Sequence, residues 1–526
     1  MTNPQYLQRP QRRQAPKQQS GNQGGGNHRG AKGGGGQGNA HPEPSPWLRN
    51  DIPRPASSAG FVEYLRWMRA PGTPHEEGTK VKLVHEAVTR ADYQARLRQM
   101  QERTQRIADE TFTVTCPWRI RVGGAKGPES MLLPAFDHLG MPYIPSSTLR
   151  GVARAQGMRE LMAGGLSRAD AENEIAKYLG DLKTPDEHKA GKVIFLDAYP
   201  TAQAQSRSGG LAADIANNLW SWEGQQLQYG PNPNIFFSLQ NPQFLIGLRR
   251  GVNCTDAVFT KVKQWLIEGL AQGAGSQVNT GYGRLLADSQ LKNPTEFLRL
   301  TFTLEGQLIH GAQTVIWRAD RDRYDNRAIA EVRPVAFKSL LRYWFRAFAL
   351  GVWPAAIVQD WEATLFGSIN PQRRGWLRVE ILDGQVLRQE ARPNRDGKDD
   401  PVGQQSGTLV LSLSEECEDS KKEAAQKLFR NLTWLMFHLG GVGQGARRPC
   451  YSRRNRDRAP WWRGSQLIPG SQDKFWELPD TAREFAQLMR HRIREFFTAL
   501  QQVSGRNDIN PERPRRCGQV TAQHWV

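Results

Sequence analysis

The chain has 526 residues, with 71 lysines and arginines against 52 acids, a formal charge of +19 and a pI near 9.9. That length exceeds one hydrophobic core, so two or more domains are expected, and the charge calls for an acidic counterpart. With no apolar run long enough to span a bilayer and no secretory leader, RNA or DNA is the expected counter-charge and the cytoplasm the expected location. Five scattered cysteines, none in a C-x-x-C, give neither a disulfide framework nor a zinc site.

Residues 1–46 are Gly, Gln, Asn, Pro and Arg with almost no large apolar side chain, and read as a disordered basic tail. Residues 47–108 are charged, with apolar points at Leu65, Trp67, Val81 and Val88, and read as a helical extension. Thr111–Thr115 alternates as a strand does, and Trp118–Val122 resumes the alternation after Pro117. Ser146 or Ser147 is expected to cap a helix carrying Leu149, Val152 and Ala153 inward and Arg150 and Arg154 elsewhere. An anion at that helix start would meet free N–H groups and the positive dipole end. Gly191–Pro200 reads as a buried strand, and Ile235–Leu239 with Gln243–Leu248 as a hairpin about Asn241-Pro242.

An apolar helix through Phe259, Val262, Trp265 and Leu270 then runs into a loop with Gly273, Gly275, Gly281 and Gly283, followed by Arg284. Glycine admits positive φ and close backbone approach, and the exposed N–H groups of such a loop can cradle phosphate. A helix C-cap followed by a turn explains the same residues as well.

The second half repeats the order. Thr301–Leu304 echoes Thr111–Val114, and Ile309–Ala312 stands where the first loop, Gly123–Gly127, stood. Val332–Arg342 echoes Pro145–Arg154, with Lys338 and Arg342 on its helix and Arg342 and Arg346 off the apolar face. Trp376–Ile381 and Leu409–Leu413 read as strands around a polar insertion at 386–406. A helical stripe from Ala425 to Leu439 runs into Gly441, Gly443 and Gly445, then Arg447 and Arg448. From Pro145 to Gly273 is 128 positions and from Pro334 to Gly441 is 107, so the same elements recur at comparable spacing, an internal repeat. Arg453, Arg454, Trp461 and Trp462 follow; arginines interleaved with aromatics suit phosphate contact and base stacking, and equally a solvated loop pinned by packed tryptophans. A last helix is expected near 481–501.

These motifs resemble the RAMP superfamily of CRISPR effector proteins. The first half, through Pro142–Gly151, Phe195–Pro200 and Gly273–Arg284, is similar to the subunit numbered six of type III-B (Cmr) complexes. The second, through Val332–Ala347, Phe366–Ser368 and Gly440–Arg448, is similar to the subunit numbered one. The resemblance implies an α+β fold of two tandem ferredoxin-like (RRM-like) domains with insertions, over 109–290 and 291–526. It implies a structural subunit that holds CRISPR guide RNA and target RNA beside other RAMP subunits, with no membrane partner and no cofactor. Phosphate contact is assigned to Ser146, Ser147, Arg150, Arg154, Arg284, Lys338, Arg342, Arg447, Arg448, Arg453 and Arg454, with the loop glycines.

Some relatives cut target RNA with an aspartate in a loop before the capped helix. The positions here are Glu129 and Asp137 in the first half and Asp320, Asp322 and Asp325 in the second. An endoribonuclease, which alone would need a divalent metal, is therefore an alternative, and a general RNA-binding protein outside CRISPR is another. His138 and His310 could serve as acid or base. Salt-bridged surface acids and ordinary loop histidines account for the same residues.

Overall fold

The computed structural model describes residues 56–59, 87–123, 134–183, 188–202, 207–287, 295–318, 323–390, 402–439 and 464–512. All of these lie in one compact unit, Leu48–Val526. The expected tail at 1–46, the second glycine loop with Arg447 and Arg448, and Arg453, Arg454, Trp461 and Trp462 fall outside the described residues.

In chain order the first half holds α1 (Gln94–Ile107), β1 (Glu110–Thr115), β2 (Arg119–Ile120), α2 (Ser146–Ala163), α3 (Arg168–Leu179), β3 (Val193–Phe195) and β4 (Tyr199–Pro200). It continues with β5 (Leu211–Glu223), β6 (Gln226–Gln240), β7 (Gln243–Arg250) and α4 (Asp256–Gln272). The second half holds β8 (Glu296–Gly306), β9 (His310–Arg318), β10 (Arg323–Ala330), α5 (Pro334–Ala349), α6 (Ala355–Phe366) and β11 (Leu377–Arg388). After these come β12 (Gly403–Leu413), α7 (Lys422–Leu439), β13 (Ser465–Gly470) and α8 (Ala482–Ser504). The fold is α+β, with several small antiparallel sheets.

One sheet of each half has the same core order. The first runs β1-β7-β3 and the second β11-β12-β8-β13, every pair antiparallel. Each has a helix pair between its first strand and the next (α2–α3, α5–α6) and a single helix after the central strand (α4, α7). Helix periodicity explains the layers. α4 turns Phe259, Val262, Trp265, Leu266 and Leu270 inward, and α7 buries Leu428, Phe429, Leu432, Leu435 and Met436. Each such side chain contributes about 1.5–3 kcal/mol. Gly157 lets α2 approach its neighbours: a Cβ there would stand 2.5 Å from Ile175 Cδ1 and 3.0 Å from the Trp265 ring.

A second device recurs in both halves. Arg150 Nη2 donates to the carbonyls of Leu179 (2.5 Å) and Gly180 (3.2 Å), closing the C-terminus of α3. Arg342 Nη2 donates to those of Phe366 (3.1 Å) and Gly367 (2.8 Å), closing α6. A guanidinium at a helix C-terminus satisfies orphan carbonyls and meets the negative dipole end. Both helices end on a positive-φ glycine, Gly180 or Gly367, packed on a second glycine, Gly191 or Gly375, ahead of the following strand.

Several local expectations need correction. Pro145, not a serine, occupies the N-cap of α2, whose first turn holds Ser146; the Ser146 N–H donates to Asp197 Oδ1 at 2.7 Å, so a carboxylate of the chain itself stands at that helix start. Ile235–Leu239 and Gln243–Leu248 do not pair with each other. β6 pairs with β5 and β2, and β7 with β1, β3 and β4, because the chain turns between sheets at Asn241 (φ 46°). Ile309–Ala312 is the entry to β9 rather than a loop; Gly311 is needed because a Cβ would overlap the Glu331 carboxylate. Gly191–Pro200 is two short strands, and Ile194 between the buried Val193 and Phe195 is exposed. The polar 386–406 stretch begins and ends as strand, extending β11 and β12. Arg346, expected off the apolar face, is buried against Glu362 (2.5 and 2.6 Å).

The long β5–β6 hairpin belongs to the first half but ends in the second. Its tip places Leu227 in the second hydrophobic cluster, and Trp222 Nε1 donates to Glu362 Oε2 at 2.9 Å. Gln359 of α6 donates to the Gly224 carbonyl at 2.6 Å.

On α7, the His438 ring lies 4.5 Å from Trp434, and burial followed by the Arg492 charge pushes its pKa down to about 4. An unfolded histidine titrates near 6.5. The unfolded chain therefore binds the extra proton between those values, and stability falls as pH drops from about 6.5 to about 4. His438→Phe is expected to flatten that part of the profile, read as urea midpoints at pH 7 and pH 5; an unchanged difference between the two midpoints would refute it.

Candidate nucleic-acid interface

The glycine loop after α4 is built as the sequence suggested, with positive φ at Gly273, Gly275, Gly281 and Gly283. Asn279 and Arg284, however, turn to the second half. Asn279 Nδ2 donates to the Gly375 carbonyl (2.8 Å), and Lys338 Nζ of α5 donates to the carbonyls of Asn279 (3.0 Å) and Leu377 (3.1 Å). Arg284 pairs with Glu380 of β11 at 2.5 Å, with both side chains nearly buried. Gly281 lies so close to α5 that a Cβ would stand 2.9 Å from Pro334 Cγ.

Beside the loop is a buried charge network. Arg333, the N-cap of α5, donates from Nη2 to Asp214 Oδ1 (2.5 Å) and Tyr282 Oη (2.7 Å) and from Nη1 to the Ile215 carbonyl (2.6 Å). Tyr282 donates its hydroxyl to Asp214 Oδ2 (2.8 Å). Arg119 of β2 reaches Glu331 from Nε (2.8 Å) and Nη2 (3.0 Å), and Trp118 Nε1 donates to the same carboxylate (3.1 Å). Burial opposes the charge on Arg119 and Arg333, but Asp214 and Glu331 outweigh it and hold both pKa values up. Burial and Asp214 raise the Tyr282 pKa, so the phenol stays protonated.

Residues 111–285 match the RAMP superfamily model. This segment is about a third of the chain. No curated protein matches the chain. Among solved structures, it is similar to a chain of the type III-B Cmr-beta complex bound to cognate target RNA, solved by cryo-EM, at 18% identity and a TM-score of 0.26. That likeness covers 36% of this chain and 63% of the other, less than two-thirds of its length. It is also similar to Cmr6 from Pyrococcus furiosus, at 18% identity and a TM-score of 0.22, over 34% of this chain and 96% of that one.

The matched segment and the second half share the junction, and the site residues expected from sequence divide into three groups. Arg150, Arg342, Lys338 and Arg284 already hold carbonyls or a carboxylate of the chain. Lys338 is buried, and desolvation, then Arg342 and Arg378, hold its pKa well below the usual range; this correction follows from a lysine enclosed by backbone. Arg154 is a third exposed and 3.4 Å from Asp181, and Ser147 is exposed on the first turn of α2. Gly441, Gly443, Gly445, Arg447, Arg448, Arg453 and Arg454 lie outside the described residues.

Of the carboxylates expected near the cleavage position, Asp137 and Asp325 fall within the described residues. Asp137 in the matched segment closes its own turn, accepting from the N–H groups of Leu139 (2.9 Å) and Met141 (2.8 Å) and from the Tyr199 hydroxyl (3.1 Å). Asp325 sits within β10, paired in register with Ile316, rather than in a loop. Glu129, Asp320 and Asp322 lie outside the described residues. His138 is exposed on the Asp137 turn, while His310 begins β9, 4.0 Å from Glu390; burial, opposed by Glu390, lowers its pKa. Among the described residues no three His, Cys, Asp or Glu side chains cluster as metal ligands, and no helix is long and apolar enough to cross a membrane.

Sequence reasoning passed over Asp214, Arg119, Glu331 and Trp118. An acid flanked by Ala213 and Ile215 in an apolar run was the available signal for the first; a carboxylate there must be paired.

Proposed function

We propose that the chain is an RNA-binding subunit of a type III CRISPR ribonucleoprotein, holding guide and target RNA in the cytoplasm beside other RAMP subunits. The observation that carries this is the RAMP superfamily match over 111–285. The +19 charge and the recurrence of one strand order in both halves support it. The finer form is a pair of tandem ferredoxin-like domains, over 109–290 and 291–526, similar to the Cmr subunits numbered six and one.

RNA phosphates then fall to the arginines that the fold leaves accessible, Arg154 in the first half, and to Arg447, Arg448, Arg453 and Arg454. Recovering a tagged copy from its host and sequencing the RNA bound to it tests this directly: CRISPR-array guides are the expected yield, and bulk cellular RNA refutes the complex. Replacing Arg447 and Arg448 by alanine is expected to weaken binding and to lower the salt slope by about 0.7 per lost phosphate contact. A slope equal to that of the parent chain would exclude these two residues from the interface.

A further inference from the structure

Among the described residues, the charges of this network do not balance. Arg119 and Arg333 are matched by Asp214 and Glu331, but a third guanidinium, Arg121, lies within electrostatic reach of Asp214 and has no carboxylate of its own among the described residues. The protonated Tyr282 adds no charge. Arg121 is 7% exposed, its Nε is buried without a hydrogen-bond partner among the described residues, and its guanidinium lies over the Phe236 ring at 5.0 Å. Its backbone is fixed by the glycine loop: its carbonyl accepts from the Ser276 N–H (3.0 Å) and hydroxyl (3.3 Å), beside Gly275, where a Cβ would stand 2.3 Å from that carbonyl.

An arginine without an anion is a costly group to bury, and burial indeed outweighs Tyr282 and Asp214 in lowering its pKa. With one face of the guanidinium against Phe236, its N–H edge is what remains, and that edge matches two oxygens of a phosphate group.

We propose that Arg121 is the seat of one phosphate-type anion at the junction of the two halves. The carrier is either a phosphodiester of bound RNA, which rests on the function proposed above, or a free phosphate.

Two measurements on the full chain separate the sources. The first is thermal unfolding against inorganic phosphate at constant ionic strength. The parent melting temperature should rise with phosphate, that of Arg121→Gln should not, and Arg121→Lys, which keeps the charge without the fork, should respond more weakly. The second is binding of a fluorescein-labelled single-stranded 20-nucleotide RNA across salt concentrations. Arg121→Gln should lower the slope by about 0.7 and Arg168→Gln, on the exposed face of α3, should leave it unchanged. A lost slope without a phosphate effect assigns the seat to RNA, and a phosphate effect with no RNA binding by the parent assigns it to free phosphate and defeats only the function proposed above. If phosphate leaves the parent unmoved and both substituted chains keep the parent slope, there is no seat. Should Arg121→Gln fail to fold, the Arg121→Lys comparison and the parent titration decide in the same way.

Discussion

Replacing Arg333 by alanine is expected to destabilise the chain by about 3–5 kcal/mol, the cost of taking from a buried carboxylate its nearest cation. Asp214 is fully enclosed and takes three donors, Arg333, Tyr282 and the Ile215 N–H, with Arg119 3.7 Å away, and Arg333 also closes the Ile215 carbonyl. Arg333→Lys should recover little, because a single ammonium cannot reach a carboxylate, a phenol and a carbonyl from fixed in-plane positions. Denaturant unfolding of the single and double variants with Asp214→Ala gives the coupling. The double variant should lose less than the two single losses added together, since neither partner is then stranded. A loss below about 1 kcal/mol for Arg333→Ala would mean the network is solvated and does not join the halves.

Gly283→Ala is the second large effect. Its φ is +74°, and a Cβ would stand 1.9 Å from the Ala274 carbonyl oxygen, itself the neighbour across the loop. Backbone strain of about 1–3 kcal/mol adds to an overpacking cost of about 1–3 kcal/mol, and both must be met in a segment that also positions Tyr282 and Arg284. Gly151→Ala is the contrasting case. It lies inside α2 with nothing within 4 Å of its Cβ position, so alanine should stabilise by about 0.5–1 kcal/mol. Melting curves of the two variants should therefore move in opposite directions. Equal small shifts would show that the loop rearranges freely and that its glycines are not held in these conformations.

The elements legible in the sequence are those set by near neighbours. Alternation in Thr111–Thr115 and Thr301–Leu304 marked β1 and β8, and apolar periodicity marked α4 and α7, because burial on one face is written at intervals of two or 3.6 residues. The hairpin expected around Asn241-Pro242 failed although both strands exist: which strand a segment pairs with depends on the rest of the sheet, and a single residue at φ 46° sends the chain from one sheet to the other.

The loop glycines were also legible, since only close approach or positive φ makes so many useful in so short a stretch. Their surroundings were not. An arginine looks the same in sequence whether it meets a phosphate, a helix C-terminus or a carboxylate, and the partners of Arg150, Arg284 and Arg333 lie 29, 96 and 119 positions away. By itself, then, the sequence determined the element types, the recurrence of their order and the basic character of the chain. Tertiary structure alone decided which cations are consumed in joining the two halves and which, like Arg121, are left over, because pairing is settled by distances that only the folded chain creates.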